Sequence, residues 1–272
     1  MSTQSDSTGT VTLETLRNRK REGRKFPCLT AYDAAFSAVL DDSGVDVVLV
    51  GDSLGMVVQG RNNTIPVSMD EMVYHSHMVA RGLSRAMLMV DMPFMSYYSE
   101  DVALANATRL MKEGNAQILK LEWGELQLSM VARFTECGIP VCAHLGLTPQ
   151  SVHKLGGYRV QGRDDATARR MIDDARALEQ AGADVLLLEC VPSRLAKEIT
   201  DSVEVPVIGI GAGPDVDGQI LVLYDILGIA PGKRTRFSKD YMVSSQSIHG
   251  AVEQFVGEVV SGEFPTPEHS FT

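Results

Sequence analysis

Apolar and polar positions along this chain alternate in a repeating way. Short runs rich in β-branched and aliphatic residues are followed by longer stretches in which apolar positions recur every three or four residues. The short runs are FPCLTAYD (26–33), VDVVLVGDS (45–53), RAMLMVDMPF (85–94), AQILKLEW (116–123), PVCAHLG (140–146), ADVLLLECV (183–191), PVIGIGAG (206–213) and QILVLYDILG (219–228). Near-continuous apolar runs of this length read as strands covered on both faces, as in parallel sheets. Eight of them, separated mostly by helical patterns, predict an α/β fold, a (β/α)8 TIM barrel.

The intervening segments carry helix signals. Ser68 and Glu71 form an S-x-x-E capping box ahead of SMDEMVYHSHMVARGL, which Gly82 helps to close. In DDATARRMIDDARALEQAG, Met171, Ala175, Leu178 and Ala181 share one apolar face, and Gly182 supplies a stop. One connection breaks the rhythm. Only Pro214 to Gly218 separates the seventh and eighth runs, whereas a parallel crossover ordinarily needs a dozen or more residues. Either that crossover is irregular or QILVLYDIL is not the eighth strand. Residues 237–262 read as one or two helices covering the barrel exterior. Residues 1–11 read as a disordered Ser/Thr-rich tail and 12–272 as a single barrel domain. The basic run Arg17 to Lys25 reads as a solvated helix face or turn.

At 272 residues the chain matches one barrel, and 44% hydrophobic with 22% charged residues is ordinary for a globular core. A formal net charge of −10 argues against a nucleic-acid backbone as partner and suits carboxylates gathered around a cation. The four cysteines, Cys28, Cys137, Cys142 and Cys190, show no C-x-x-C spacing and read as buried, reduced thiols, which favours the cytoplasm. No signal peptide and no membrane-spanning run is apparent.

Candidate chemistry lies where the strands end, because barrels of this kind place their sites at the C-terminal ends of the strands. There stand Asp52 and Ser53, Asp91, Lys120 and Glu122, His144, and Glu189. Lys120 and Glu122 are two apart and share the lumen face, opposite Leu119, Leu121 and Trp123. They could simply be an ion pair filling the barrel interior. Asp52, Asp91 and Glu122 on three successive strands would repel one another without a cation, and an all-oxygen set suits Mg2+ better than Zn2+. Glu189 follows DVLLL, an apolar setting that raises a carboxyl pKa toward that of a general base; the plain alternative is a cap for the helix after Pro192. His144 either orients substrate or is structural, and His75 and His77 cannot share a helix face. GIGAGP (209–214) lacks phosphate-loop spacing and reads as a tight turn or a close approach to a ligand. Residues 148–162 read as a lid over the barrel mouth or a subunit contact.

The runs VGDSLGMVVQG, VDMPF, LKLEW, HLGLTPQ, GGYRVQG, LLLECVP and PVIGIGAGPDVDGQILVLYDILG together resemble the ketopantoate hydroxymethyltransferase family, from about Thr12 to the closing EHSF. The resemblance implies a (β/α)8 barrel of the phosphoenolpyruvate/pyruvate type, commonly a homodecamer of two pentameric rings, and no nucleic-acid or membrane partner. It implies Mg2+, with 5,10-methylenetetrahydrofolate as co-substrate, and transfer of a hydroxymethyl unit to 3-methyl-2-oxobutanoate through a Mg-stabilised enolate, giving ketopantoate for pantothenate and coenzyme A biosynthesis. It places the metal among Asp52, Asp91 and Glu122, the α-keto acid against Asp52, Ser53, Asp91 and Lys120, and the proton acceptor at Glu189. A Mg-dependent carbon–carbon lyase or phosphonomutase of the same barrel superfamily is the main alternative. A Schiff-base aldolase built on Lys120 and a non-catalytic keto-acid binder are further ones.

Overall fold

The computed structural model describes residues 9–122, 127–230, 232 and 234–272. Eight parallel strands, β1 (Phe26–Thr30), β2 (Val47–Val50), β3 (Met87–Asp91), β4 (Ile118–Glu122), β5 (Val141–Gly146), β6 (Val185–Glu189), β7 (Val207–Ile210) and β8 (Gly218–Leu221), pair in sequence order. The ring closes where β8 pairs with β1. Every run singled out by its apolar content contributes one strand; Trp123, at the end of the fourth, lies outside the described residues.

Helices α1 (Leu13–Arg21), α2 (Ala34–Asp42), α3 (Leu54–Val57), α4 (Met69–Ala80), α5 (Glu100–Lys112), α6 (Gln127–Glu136), α7 (Val152–Leu155), α8 (Asp165–Gln180), α9 (Ser193–Ser202), α10 (Leu223–Ile226) and α11 (Ile248–Ser261) fill the connections and the C-terminus. The capping box of α4 is formed in both directions, Glu71 Oε2 accepting the Ser68 amide at 2.7 Å and Ser68 Oγ accepting the Glu71 amide at 3.3 Å. On α8, Met171, Ala175 and Leu178 are buried against the barrel, as their spacing predicts. Helix α11 lies against β1 and α2 through Ala251, Val252, Phe255 and Val259.

The irregular crossover is real, and the eighth run divides. Its first residues form β8, while LYDI turns into α10, its first amide donating to the Thr30 hydroxyl at 3.1 Å. No helix is needed before β8 because β7 has only four residues and therefore a rise of about 13 Å, which a seven-residue return covers easily. Gly211 and Gly213, at φ 59° and 81°, make the reversal, and Gln219 Nε2 fixes it by donating to the Gly213 carbonyl at 2.9 Å. GIGAGP is thus a structural turn. A side chain at Gly213 would run into Ser193.

Three expectations need correction. Val11, placed in the tail, is buried and donates its amide to Arg85 O at 2.8 Å, so the core begins before Thr12. Cys137 is exposed, because it follows the last turn of α6 and does not lie in a strand; all four cysteines are free thiols. The basic run is a solvated turn only from Arg21 to Arg24. Helix α1 crosses the N-terminal end of the barrel, where Arg17 pairs with Asp184 at 2.7 Å, Arg19 with Asp46, and Lys20 with Asp217 at 2.9 Å. These aspartates stand immediately before β6, β2 and β8, so each side chain meets α1 at the barrel floor. Two of them also accept the first amides of neighbouring strands, Val141 on Asp184 and Val207 on Asp217.

Asp46 is the most enclosed of the three, its side chain 2% exposed and held by Arg19 and by Arg85 at 2.9 Å. Asp46→Ala leaves two partly buried guanidiniums facing each other. The expected loss is about 3 kcal/mol, near the low end for a broken buried pair because both guanidiniums keep some water contact. Urea unfolding with an unchanged slope checks it; a midpoint equal to that of the unmodified chain would show that the pairing adds nothing.

Candidate active site

All seven polar residues predicted from the strand ends line one cavity of about 330 Å3 at the C-terminal mouth. Parallel register puts them side by side: Asp91 is level with Lys120, and Glu122 with His144. One strand further, Gly146 is level with Glu189. Asp52 lies two residues past β2, in the turn into α3, and its amide donates to Asp91 Oδ2 at 3.0 Å. Gly51 allows that approach, since a Cβ there would sit 2.8 Å from Ser53 Oγ and 3.5 Å from Asp91 Oδ2. Ser53 Oγ shares a 2.9 Å hydrogen bond with the Tyr32 hydroxyl.

Lys120 is the cation of the site. Its Nζ lies 2.9 Å from Asp91 Oδ1, in a side-chain environment only 6% exposed. Burial alone would lower its pKa, but Asp91, Glu122 and Asp52 outweigh that and hold it charged. The same Nζ is 3.3 Å from His144 Nδ1. An ammonium has no lone pair to offer, so Nδ1 is the acceptor and the imidazole proton resides on Nε2. Burial, and then the Lys120 charge, push the imidazole pKa well below its usual value, so His144 is neutral. Its Nε2 points to Glu189 Oε2 at 3.4 Å, a separation that leaves this nitrogen without a completed hydrogen bond. His144 is therefore a neutral imidazole standing between Lys120 and Glu189.

Glu189 ends β6 with its side chain 16% exposed. It makes no helix cap: α9 starts at Pro192 without a side-chain bond. Burial raises its pKa, Lys120 opposes, and Asp52 and Asp91 add to the rise, leaving it at about 8. Its backbone is held on both sides. Leu147 N donates to Glu189 O at 2.8 Å, and a Cβ at Gly146, φ 92°, would lie 2.3 Å from that oxygen. The next residue, Cys190, has φ 48°, a strained conformation for a side-chain-bearing residue at the edge of the site.

Asp52, Asp91 and Glu122 reach the cavity together but not as a ready-made cage. Among the described residues no three His, Cys, Asp or Glu side chains are arranged to hold a metal ion. Gln150 bonds two of the three. Its amide nitrogen Nε2 donates to Asp52 Oδ2 at 2.8 Å and its backbone N–H to Glu122 Oε2 at 2.9 Å. The oxygens nevertheless suit a hard divalent cation. Four carboxylates face one ammonium and a neutral imidazole. Burial and then Asp91 raise Asp52 to about 7, and Glu122 lies well above its usual range for like reasons. A cation would relieve both conditions.

Gln150, with Tyr97, Tyr32 and Thr64, escaped a search for charged residues. The one sequence signal was their place: Gln150 opens the loop after β5, within TPQ. That loop lies across the mouth, with Tyr158 lining the cavity and Gln161 N returning to Cys190 O at 2.9 Å. His75 and His77 each bond a backbone carbonyl, apart from this site.

A closed parallel barrel with buried acid–base groups gathered at its C-terminal mouth defines a TIM-barrel enzyme. The comparisons supply the kind. The family model described as ketopantoate hydroxymethyltransferase matches residues 10–267. A 3-methyl-2-oxobutanoate hydroxymethyltransferase of Alkalilimnicola ehrlichii is 58% identical over 96% of this chain and 94% of its own. Its namesake in Nitrosococcus oceani is 54% identical over 97% of this chain and 100% of its own. The chain belongs to the ketopantoate hydroxymethyltransferase family. Among solved structures, a putative phosphonomutase of Burkholderia cenocepacia (TM-score 0.62, 16% identity, 79% of this chain and 93% of that one) shares the fold. So does a 2,3-dimethylmalate lyase described as a PEP mutase/isocitrate lyase superfamily member (TM-score 0.57, 16% identity, 79% and 82%).

A carboxyl raised from 4.5 to about 8 favours the folded state while protonated. Its contribution is complete below about pH 4.5 and is lost as pH rises through about 8. Lys120, His144, Asp52, Asp91, Glu122, Tyr158 and Cys190 are titratable groups around it. Thermal melts of the unmodified chain and Glu189→Gln from pH 5 to 9 should therefore diverge in favour of the variant at alkaline pH. A constant difference would place the titration on another group.

Proposed function

We propose that the chain transfers a hydroxymethyl unit from 5,10-methylenetetrahydrofolate to 3-methyl-2-oxobutanoate, giving ketopantoate and tetrahydrofolate. The observation that carries this reading is a buried base, Glu189, in the same small cavity as the Asp52, Asp91 and Lys120 group, in a chain of this family. The relatives' names give the keto acid and the transferred group. Removal of a proton next to a keto group is the chemistry such a base serves.

Asp52 and Asp91 would hold Mg2+, with Glu122 behind them. When bound, the ion supplies Lewis acidity that loosens the proton at C3 of the keto acid. Ser53, fixed by Tyr32, orients the substrate carboxylate. Glu189, deprotonated and steered by His144 Nε2–H, takes the C3 proton, and the electron pair moves to the keto oxygen. The Lys120 ammonium stands where that charge develops. The C3 carbon then bonds to the one-carbon unit of the donor as one of its two C–N bonds breaks, water supplies the hydroxyl as the second breaks, and the C3 proton and one proton of the water end on the two folate nitrogens. Ile210, Ile220, Val222 and Phe237 line the other wall, with Asp225 among them, and leave an apolar side for the donor. We extend the reading to a cytoplasmic homodecamer, for which the free thiols suit a reducing compartment.

The test is ketopantoate formation from the two substrates, with and without a chelator. Product that needs both the folate and the divalent ion is expected; cleavage or rearrangement of the keto acid without folate would favour the lyase or phosphonomutase alternative. Glu189→Gln should retain keto-acid binding and slow deuterium exchange at C3 by about 10²–10⁴-fold. Near-normal exchange removes Glu189 as the base.

A further inference from the structure

We propose that Gln150 is a positioning residue for the cation site: it fixes which oxygen of Asp52 is presented to the ion and ties Asp52 to Glu122 across the barrel mouth. The inference rests on the metal reading above and concerns a residue that contacts no substrate in it. All of the hydrogen-bonding capacity needed for this role is used. Nε2 donates to Asp52 Oδ2 at 2.8 Å and to the Met92 carbonyl at 2.9 Å, Oε1 accepts from the Tyr97 hydroxyl at 2.6 Å, and the backbone N–H donates to Glu122 Oε2 at 2.9 Å.

The two fixed partners remove any ambiguity about the amide. A carbonyl can only accept, so the nitrogen end faces Met92, and Asp52 receives a donor from the same group. Side-chain burial is nearly complete, 5% exposure, so water cannot replace these bonds. Asp52 Oδ2 thereby has one lone pair taken by Gln150, which orients the carboxylate and leaves Oδ1 free of that bond. One residue thus holds carboxylates that follow β2 and end β4, and it does so from the first turn of the loop crossing the mouth. Partners of this kind commonly change metal affinity by about 10–100-fold when removed.

The experiment is a calorimetric titration of the full-length protein with Mg2+ alone, with and without the keto acid, on the unmodified chain, Gln150→Ala and Tyr97→Phe. Gln150→Ala, with unchanged circular dichroism, is expected to raise the Mg2+ dissociation constant by about 10–100-fold. In turnover, high Mg2+ should restore much of the rate while the keto-acid KM at saturating Mg2+ stays near that of the unmodified chain, a pattern that general loosening of the fold does not produce. Tyr97→Phe removes one of the four bonds and should shift affinity in the same direction by less. A folded Gln150→Ala protein with unaltered Mg2+ affinity overturns the proposal. Should that variant not fold, Tyr97→Phe decides, and unchanged affinity there overturns it equally. An unmodified chain that binds no Mg2+ under either condition fails at the earlier step, the metal reading itself, and takes the inference with it.

Discussion

The arrangement of this barrel turns on an imbalance of buried charge. Asp52, Asp91, Glu122 and Glu189 share one cavity with a single ammonium, Lys120. Carboxylates in such surroundings either gain protons or gain a cation, and burial with like-charged neighbours raises the pKa values of Asp52, Glu122 and Glu189 toward the first outcome. The same imbalance makes the second outcome favourable. What distinguishes the four acids is their partners among the described residues: Asp91 has Lys120, Asp52 and Glu122 have Gln150, and Glu189 faces a neutral histidine. The acid with the weakest partner is the one free to exchange a proton.

Lys120 does two things at once because His144 sits beside it. Its positive charge is retained by three acids, and that charge in turn keeps the imidazole neutral and places the imidazole proton on the side of Glu189. A path of three side chains on β4, β5 and β6 therefore runs from the oxygens near β2 and β3 to Glu189. Each step spans one strand spacing, so the geometry follows from register alone.

The barrel was legible in the sequence because eight apolar runs, bounded by glycines and polar strand ends, leave few other architectures. The site was legible for its charged members, since a Lys or Glu at the end of a buried strand has no packing reason to be there. Gln150 and Tyr97 were not: neither carries charge, and what makes them matter is contact across 98 and 53 residues of sequence. Position in a loop read only as a lid gave no hint of the bond to Asp52. The basic segment was misread for a related reason. Its partners, Asp46, Asp184 and Asp217, each look like an isolated acid before a strand, and only ring closure gathers them under one helix. Splitting of the eighth run into β8 and α10 was hidden because VLYDIL is apolar enough for either state.

Helix α1 has a consequence for how the ring is completed. The β7–β8 seam has just two residue pairs in register, Ile208 with Gly218 and Gly209 with Gln219. The segment entering β8 is fastened from below, Lys20 to Asp217 and Lys25 to the Val216 carbonyl, while β1 pairs along the other edge of β8. Helix α1 and β1 thus wait for a segment far along the chain, Lys20 and Asp217 being 197 residues apart. Until residues 216–221 emerge, β1 keeps an unpaired edge and α1 lacks Asp217, the last of its counter-charges, so closure of this barrel is a late and long-range event in synthesis.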